Sequence, residues 1–466
     1  MPEIDLLARF IIFLEIAWIL LVVVIWRKQG VFSPILLISI SVFMHFPGHG
    51  IMDLTVGSHI LEHQALSSKF GEFFILSHLY GLVGYLCIVL GYMMVSEKSN
   101  PLYIIVPKFV YPFKRKRVFL VSALLILLSM ISFYFLTIRF GGLIPYLTEK
   151  YLTRTAEGVG YLNLVLGFSV SAFLMLTAYS YVTRQQRLML SRWRRLFQKL
   201  YWGFAGGVAL FAMVTTGSRG AVVFLLAQYL FIRHYLHKPL NYRWAVSAGI
   251  MILTLISLLQ LYRNEGGEHI TERALASTLS PTNILKEPFQ RAYVSDSFTV
   301  LLHDFSDKQA LLGDTILPIV YAWIPRDLWP DKPITSTGKL MAETHFAGLY
   351  KEGTAIAIGM FSDSYINFDL LGVIIVALIV GMLLRVFFAK CVLKSMTLPI
   401  EVRAPRIYFY SSISYIPLMM LENSIYGAIA SYLPIVVFSY LFTSLSTGKL
   451  TTKVFRRGKL EAALVE

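Results

Sequence analysis

The residues of this chain best suited to chemistry stand at the ends of apolar runs. Gly217-Ser218-Arg219-Gly220-Ala221 joins two such runs with almost no spare residues, so the chain must reverse sharply there, and the glycines permit it. Arg219 is thereby fixed at a membrane rim. Its planar donor fork suits phosphate oxygens; the plainer alternative is an arginine that snorkels to lipid phosphates. Tyr262-Arg263 ends the next run to emerge on the same side. Two arginines at one depth fit a pyrophosphate, against the alternative of two unrelated interfacial arginines.

Further along, Ile324-Pro325-Arg326-Asp327-Leu328-Trp329-Pro330-Asp331-Lys332-Pro333 combines three prolines with a tryptophan and alternating charge. It reads as a rigid turn anchored by Trp329 at the headgroups, which leaves Arg326 to face a substrate and Lys332 as either scaffold or contact. His345 follows, and then the string Gly359-Met360-Phe361-Ser362-Asp363-Ser364-Tyr365-Ile366-Asn367-Phe368. Asp363 stands where it could accept a proton from an alcohol or simply cap a helix. His303, Asp304 and Asp307 have no recognised ligand spacing and read as a solvated loop face. Glu422-Asn423 is either a short polar turn or a partner for an arginine. Walker A, dinucleotide-binding glycines, HExxH and GxSxG are all missing, which removes support for nucleotide hydrolysis, hydride transfer, zinc proteolysis and the usual serine-hydrolase arrangement.

These residues need a scaffold, and the composition names it. Of 466 residues, 56% are hydrophobic and 15% charged, against about a quarter charged in ordinary soluble proteins; the mean hydropathy is +0.65. Apolar runs at 7–26, 31–46, 73–95, 117–138, 160–182, 199–216, 221–236, 244–262, 370–391, 405–421 and 425–443 predict an all-α polytopic membrane protein of about eleven transmembrane helices. They make one integral membrane domain over 1–466. The first run lacks a small-residue cleavage site and is expected to be retained. The second is short, bracketed by Pro34 and Pro47. Cys87 and Cys391 lie far apart, which excludes a disulfide framework or a cysteine zinc site.

The excess of 42 Lys+Arg over 27 Asp+Glu falls between apolar runs, where it signals topology rather than nucleic acid. Arg27 and Lys28, the cluster Lys114-Arg115-Lys116-Arg117, and the basic segments 184–199, 233–243, 385–406 and 449–459 all fall on one side. That side is expected to be cytoplasmic, with the N-terminus outside and the C-terminus inside. Segment 184–199, with Trp193 interleaved, reads as an interfacial helix on anionic lipid. The long stretch 263–369, between runs eight and nine, falls outside and is expected to form a folded extracytoplasmic cap. Its apolar part 310–323 is too short to span and is expected along the interface.

Thr216–Ala221 (TGSRGA), the arginine ending the following outward run, Pro325–Pro333 (PRxLWPxKP) and Gly359–Phe368 (GMFSDSYINF) resemble bacterial Wzy-type O-antigen or oligosaccharide repeat-unit polymerases, which group with the O-antigen ligases. The likeness covers about 200–440 in pattern and the whole chain in topology. Two positions depart from it: Asp363 stands where Glu is more frequent, and Asp369 where Gly commonly follows Asn-Phe. The resemblance implies a GT-C-like architecture and transfer of a growing glycan from undecaprenyl pyrophosphate to the terminal sugar of another lipid-linked repeat unit. By resemblance, Arg219 and Arg263 hold the pyrophosphate, Arg326 and Arg291 add contacts, and Asp363 or His345 is the base. Trp329, Tyr350 and Tyr365 stack on sugars and Lys332 adds a polar contact. No cofactor and no obligatory metal are implied. Expected partners are the bilayer, the lipid-linked oligosaccharides, and the flippase and chain-length regulator of the same pathway, with no nucleic acid. The expected place is the bacterial cytoplasmic membrane, with the site facing outward.

Three rivals share parts of this reading. A flippase for the same lipids would also need arginines, but transporters place charge near the midplane and show paired interrupted repeats. A ligase would share nearly every residue named. An integral acyltransferase fits fewer of them.

Overall fold

The computed structural model describes residues 2–56, 70–95, 111–148, 159–185, 192–215, 219–241, 293–321, 337–345 and 355–448, with single positions at 109, 243, 247, 249, 251, 254, 289, 324, 328, 329, 331 and 332. Apolar runs close their own backbone hydrogen bonds as helices, the economical solution in lipid, and the described residues follow that rule. Their one pairing of extended backbone is an isolated antiparallel bridge between Phe113 and Thr447.

The helices run in order α1 (Pro2–Trp26), α2 (Pro34–Phe43), α3 (His49–Val56), α4 (Phe70–Met94), α5 (Arg115–Arg139), α6 (Leu143–Thr148), α7 (Val159–Leu166) and α8 (Phe168–Gln185). They continue as α9 (Arg192–Thr215), α10 (Arg219–Leu236), α11 (Val294–Asp304), α12 (Thr337–His345), α13 (Gly359–Cys391), α14 (Ile400–Ser411), α15 (Ile416–Met419) and α16 (Ile425–Ser446). Among the described residues, seven stretches are long and apolar enough to cross a membrane: Leu6–Gln29, Pro34–Thr55, Gly71–Met94, Arg115–Arg139, Val159–Arg184, Gly359–Ser395 and Ile425–Ser446. The chain is an all-helical, multi-pass membrane protein.

Individual runs differ from their hydropathy. The second continues through Pro47 to Thr55, because Met44–Gly48 forms a π-helical turn that accommodates a residue with no backbone donor. Run 221–236 forms the shorter apolar α10, and 199–216 is the C-terminal part of the 24-residue α9. Run 405–421 divides into α14, which buries Pro405, and the single turn α15; each is shorter than a crossing requires. Run 244–262 lies almost entirely outside the described residues.

The chain divides into two units. Unit 1 comprises Met1–Asn100, Asn241–Arg385 and Ile416–Leu433. Its core joins Val22, Ile35, Phe46, Tyr85, Phe298 and Phe361. Gly91 on α4 faces the Leu378 carbonyl of α13, and Gly381 on α13 faces the Ile88 carbonyl of α4, so the two backbones meet where no Cβ intervenes. Helix α11 packs along α4 and buries nine of its eleven residues. That helix comes from the connection 263–369, so this portion of the expected cap is built into the helical body. Of the described part of segment 310–323, residues 312–316 form turns and Leu317–Val320 one 3-10 helical turn, with Leu312, Leu317 and Val320 exposed.

Unit 2 comprises Pro101–Leu240, Val386–Tyr415 and Pro434–Glu466. Helix α8 is central and packs on α5, α9, α10 and α14. A cavity of about 330 Å³ opens among Asn163, Phe168, Gln228, Tyr415, Ser439 and Phe442.

Candidate functional site

Asp363 sits in the first turns of α13 with no exposed surface. Its Oδ1 accepts the Thr315 hydroxyl at 2.6 Å and Asn367 Nδ2 at 3.3 Å, while Oδ2 accepts the Ile425 amide at 2.7 Å. Asn367 lies one turn on along the same face; it donates to Thr315 Oγ1 at 2.6 Å and accepts the Gly313 amide at 2.9 Å. Backbone bonds from Leu311 to Ile366 and from Leu312 to Asn367 complete the stitch. The carboxylate therefore ties the turn 311–315 and the start of α16 to α13. Helix α13 breaks immediately afterwards, where Asp369 adopts φ 53° and ψ −157°, a conformation close to glycine-only territory. Tyr365 is half-buried beside Tyr80, with ring centroids 5.6 Å apart, and beside Phe298.

His345 ends α12 and donates through Nδ1 to Asp304 Oδ2 at 2.7 Å. His303 Nδ1 lies 3.0 Å from the other oxygen of the same carboxylate. The three side chains are between 12% and 25% exposed, so they form an organised carboxylate–imidazole group and not the solvated face expected of His303 and Asp304. Partial burial alone would raise the Asp304 carboxyl, but the bonds from His345 and His303 outweigh it and hold the group below its ordinary value. The His345 ring rests against Phe305.

Lys332 is buried, and its Nζ donates to the Ile324 carbonyl at 2.9 Å, so it closes the proline-rich loop on itself. Trp329 is 38% exposed beside Tyr321. Arg219 opens α10; its side chain, and the whole of Arg263, Arg291, Arg326 and Tyr350, lie outside the described residues. Glu422 pairs with His45 at 3.2 Å.

A second set of ionisable groups lies inside unit 1. His49, the first residue of α3, has its Nδ1 2.6 Å from the Phe289 carbonyl oxygen. A carbonyl can only accept, so Nδ1 carries the proton. The opposite nitrogen, Nε2, faces Asp296 Oδ2 at 3.2 Å and Asp53 Oδ2 at 3.4 Å. All three side chains are at least nine-tenths buried. Nearby in the same unit, His78 Nδ1 meets Glu15 Oε2 at 2.9 Å with both side chains fully enclosed, and Thr299 donates to the neighbouring Ser77 at 2.9 Å. The Phe46 ring meets His78 edge to face, and the Phe74 ring packs against it at a tilt.

No family model, curated protein or solved structure matches this chain.

Two arrangements thus have chemical capacity. In the first, a carboxylate fixes His345 with Nδ1 protonated, which makes Nε2 the nitrogen able to take a proton. In the second, an imidazole nitrogen and two carboxylates converge with their side chains buried, a donor set suited to a divalent cation. Sequence reasoning reached His345 but missed its partner Asp304, and it passed over His49, Asp53, Asp296 and His78. The available signal was Glu15, His45 and His78 within apolar runs: an ionisable residue inside a span has to find a partner there.

Proposed function

We propose that this chain is a membrane glycosyltransferase that polymerises undecaprenyl-pyrophosphate-linked oligosaccharide repeat units into O-antigen, capsule or exopolysaccharide. The observation that carries the reading is the 2.7 Å bond by which Asp304 orients His345. It supports the reading because it orients an imidazole on the long connection that the charge asymmetry is read to put outside. The acceptor hydroxyl attacks the anomeric carbon while His345 Nε2 takes its proton. The bond from that carbon to the pyrophosphate oxygen breaks and undecaprenyl pyrophosphate leaves with the electron pair, inverting the centre. Arg219, Arg263 and Arg326, with Arg291, stabilise the charge developing on the leaving group, so neither nucleotide sugar nor metal is required for the transfer. Asp363, whose oxygens are all engaged, becomes the tie that shapes the site, and the base role passes to His345. Tyr365 and Trp329 offer faces for sugar rings. The full reading includes about eleven spans in a GT-C-like arrangement, an outer N-terminus, a cytoplasmic C-terminus and residence in the bacterial inner membrane beside the pathway's flippase and chain-length regulator.

The Asp369 backbone adds support: the resemblance expects glycine there, and the chain adopts a conformation that favours it. The test is a gel of surface and lipid-linked polysaccharide from cells lacking the gene and from cells complemented with wild type, His345→Ala or Arg219→Ala. Wild type should restore a repeat-unit ladder, and both variants should leave single units at equal membrane expression. A ladder restored by either variant would overturn that residue's role. Full polymer retained on its carrier would mark a ligase instead, and single units trapped inside would mark a flippase.

A further inference from the structure

We propose that His49, Asp53 and Asp296 bind one divalent transition-metal ion, zinc being the best fit, that clasps α3 to α11. The inference stands apart from the proposed glycosyl transfer, since it concerns what the helical interior of unit 1 holds.

The first argument is distance. Tetrahedral zinc with bonds of about 2.0–2.1 Å separates its ligand atoms by about 3.3–3.4 Å. His49 Nε2 stands 3.2 Å from Asp296 Oδ2 and 3.4 Å from Asp53 Oδ2, and the three ligand atoms all lie within 4.8 Å of one another. Those spacings match an ion's coordination edge; the first is at the long end of the N–H···O range and the second beyond it. The second argument is orientation. The bond from Nδ1 to the Phe289 carbonyl fixes the tautomer and turns the Nε2 lone pair toward the carboxylates, the outer-shell arrangement of metal-binding histidines.

The third argument is unmet bonding. His49 Nε2 and Asp53 Oδ2 are buried and neither completes a hydrogen bond, which costs free energy unless something else satisfies them. The fourth is charge. A divalent cation would offset both carboxylates at once, whereas an imidazolium offsets only one and leaves the other carboxyl to hold a proton. A nitrogen with two carboxylate oxygens favours zinc, manganese or iron over the all-oxygen preferences of calcium and magnesium.

The role would be positional. Asp296 lies in the first turn of α11 and Asp304 at its end, so eight residues at 1.5 Å put the two about 12 Å apart along one rigid element. An ion that anchors the first turn therefore sets the position of the carboxylate that holds His345, without touching the reacting groups.

The test uses the full chain purified in detergent, loaded with zinc, freed of excess ion, and measured for metal content and melting temperature. Wild type and Glu15→Gln, which alters a buried pair outside the cluster, should retain about one ion per chain. His49→Ala and Asp296→Asn should retain at least about tenfold less. Chelation should lower the wild-type melting temperature by several degrees and zinc should restore it; this reversal on wild type alone carries the test should the variants fail to fold. Wild type that holds no ion and melts identically with chelator or zinc would overturn the proposal, leaving a shared proton as the cluster's occupant. Equal metal content in wild type and both variants would overturn the assignment to these residues.

Discussion

The two units bury different kinds of polarity. Among its described residues, unit 1 encloses Glu15, His45, His49, His78, Asp296, Lys332 and Asp363, all ionisable. Among the described residues of unit 2, the buried polar ones are serines, threonines and Gln228, beside a cavity lined mainly by apolar and neutral side chains. While Ser129 and Ser132 reach across to the Leu166 and Leu162 carbonyls, many hydroxyls of unit 2 find an acceptor three or four residues back, as Ser169 does at the Leu166 carbonyl, Thr443 at Ser439 and Ser446 at Thr443. Ionisable groups cannot do so. Glu15 needs His78 from another helix, and Asp363 needs Thr315 and Ile425 from two other segments. A hydroxyl can fall back on its own helix when a cross-helix partner is lost, whereas a buried charge depends on the separate segments that pair it. The contrast can be broken in several ways.

The largest effect is expected at the enclosed pair. His78→Leu should leave Glu15 buried without its partner and destabilise the protein by about 3–5 kcal/mol, whereas Glu15→Leu with His78→Leu should recover much of that loss. Thermal melting in detergent measures both, and equal melting of the single and double variants would dissolve the distinction. Next comes Asp363→Ala, which strands the Thr315 hydroxyl and the Ile425 amide, at about 1–3 kcal/mol for each buried group. In unit 2, Thr443→Val keeps shape and removes only a hydroxyl bonded to its own helix, so a cost under about 1 kcal/mol is expected. Asp369→Gly has the opposite sign: relief of the positive φ should stabilise by about 1 kcal/mol, read as a raised melting temperature.

The smallest effect is a pH dependence at Asp304. Its folded value lies below the unfolded one, so the pairing with His345 and His303 contributes fully above about pH 4 and fades as pH falls through the folded value. Between about pH 5 and pH 2 the wild-type melting temperature should fall further than that of Asp304→Asn. Part of the group faces solvent, which keeps the difference modest.

Helix class and most spans were legible because a run of about 20 apolar residues has few other uses. Hydropathy failed where a sequence was apolar for a different reason. Run 405–421 is apolar because α14 buries Ile407, Tyr408 and Phe409 inside unit 2, not because it crosses lipid as one helix. Run 31–46 was underestimated because Pro47 looked like a terminus, while the chain winds through it to Thr55. The pairing of Asp363 with Asn367 could be read from their spacing of four on a helix. The reach to Thr315, and from His345 back to Asp304, could not, since each crosses a connection whose path no local pattern records. His49 and Asp53 share that helical spacing too, yet the third member, Asp296, arrives from a segment far along the chain.

The π-helical turn at Met44–Gly48 has a consequence for how this cluster tolerates change. Each residue of an ordinary helix advances the winding by about 100°, and a π turn holds one residue more than its α counterpart, so everything beyond it is out of phase with everything before. The first part of the rod, Ile35, Leu36 and Ile38, keys one set of apolar neighbours, while His49 and Asp53 are dialled to a different azimuth. Excising one residue from the turn would leave composition and hydropathy almost unaltered yet swing both side chains by more than a quarter circle, toward surroundings with nothing to receive them. A one-residue indel at this point is thus a rotation, and its penalty is invisible to any comparison that scores residues without counting phase.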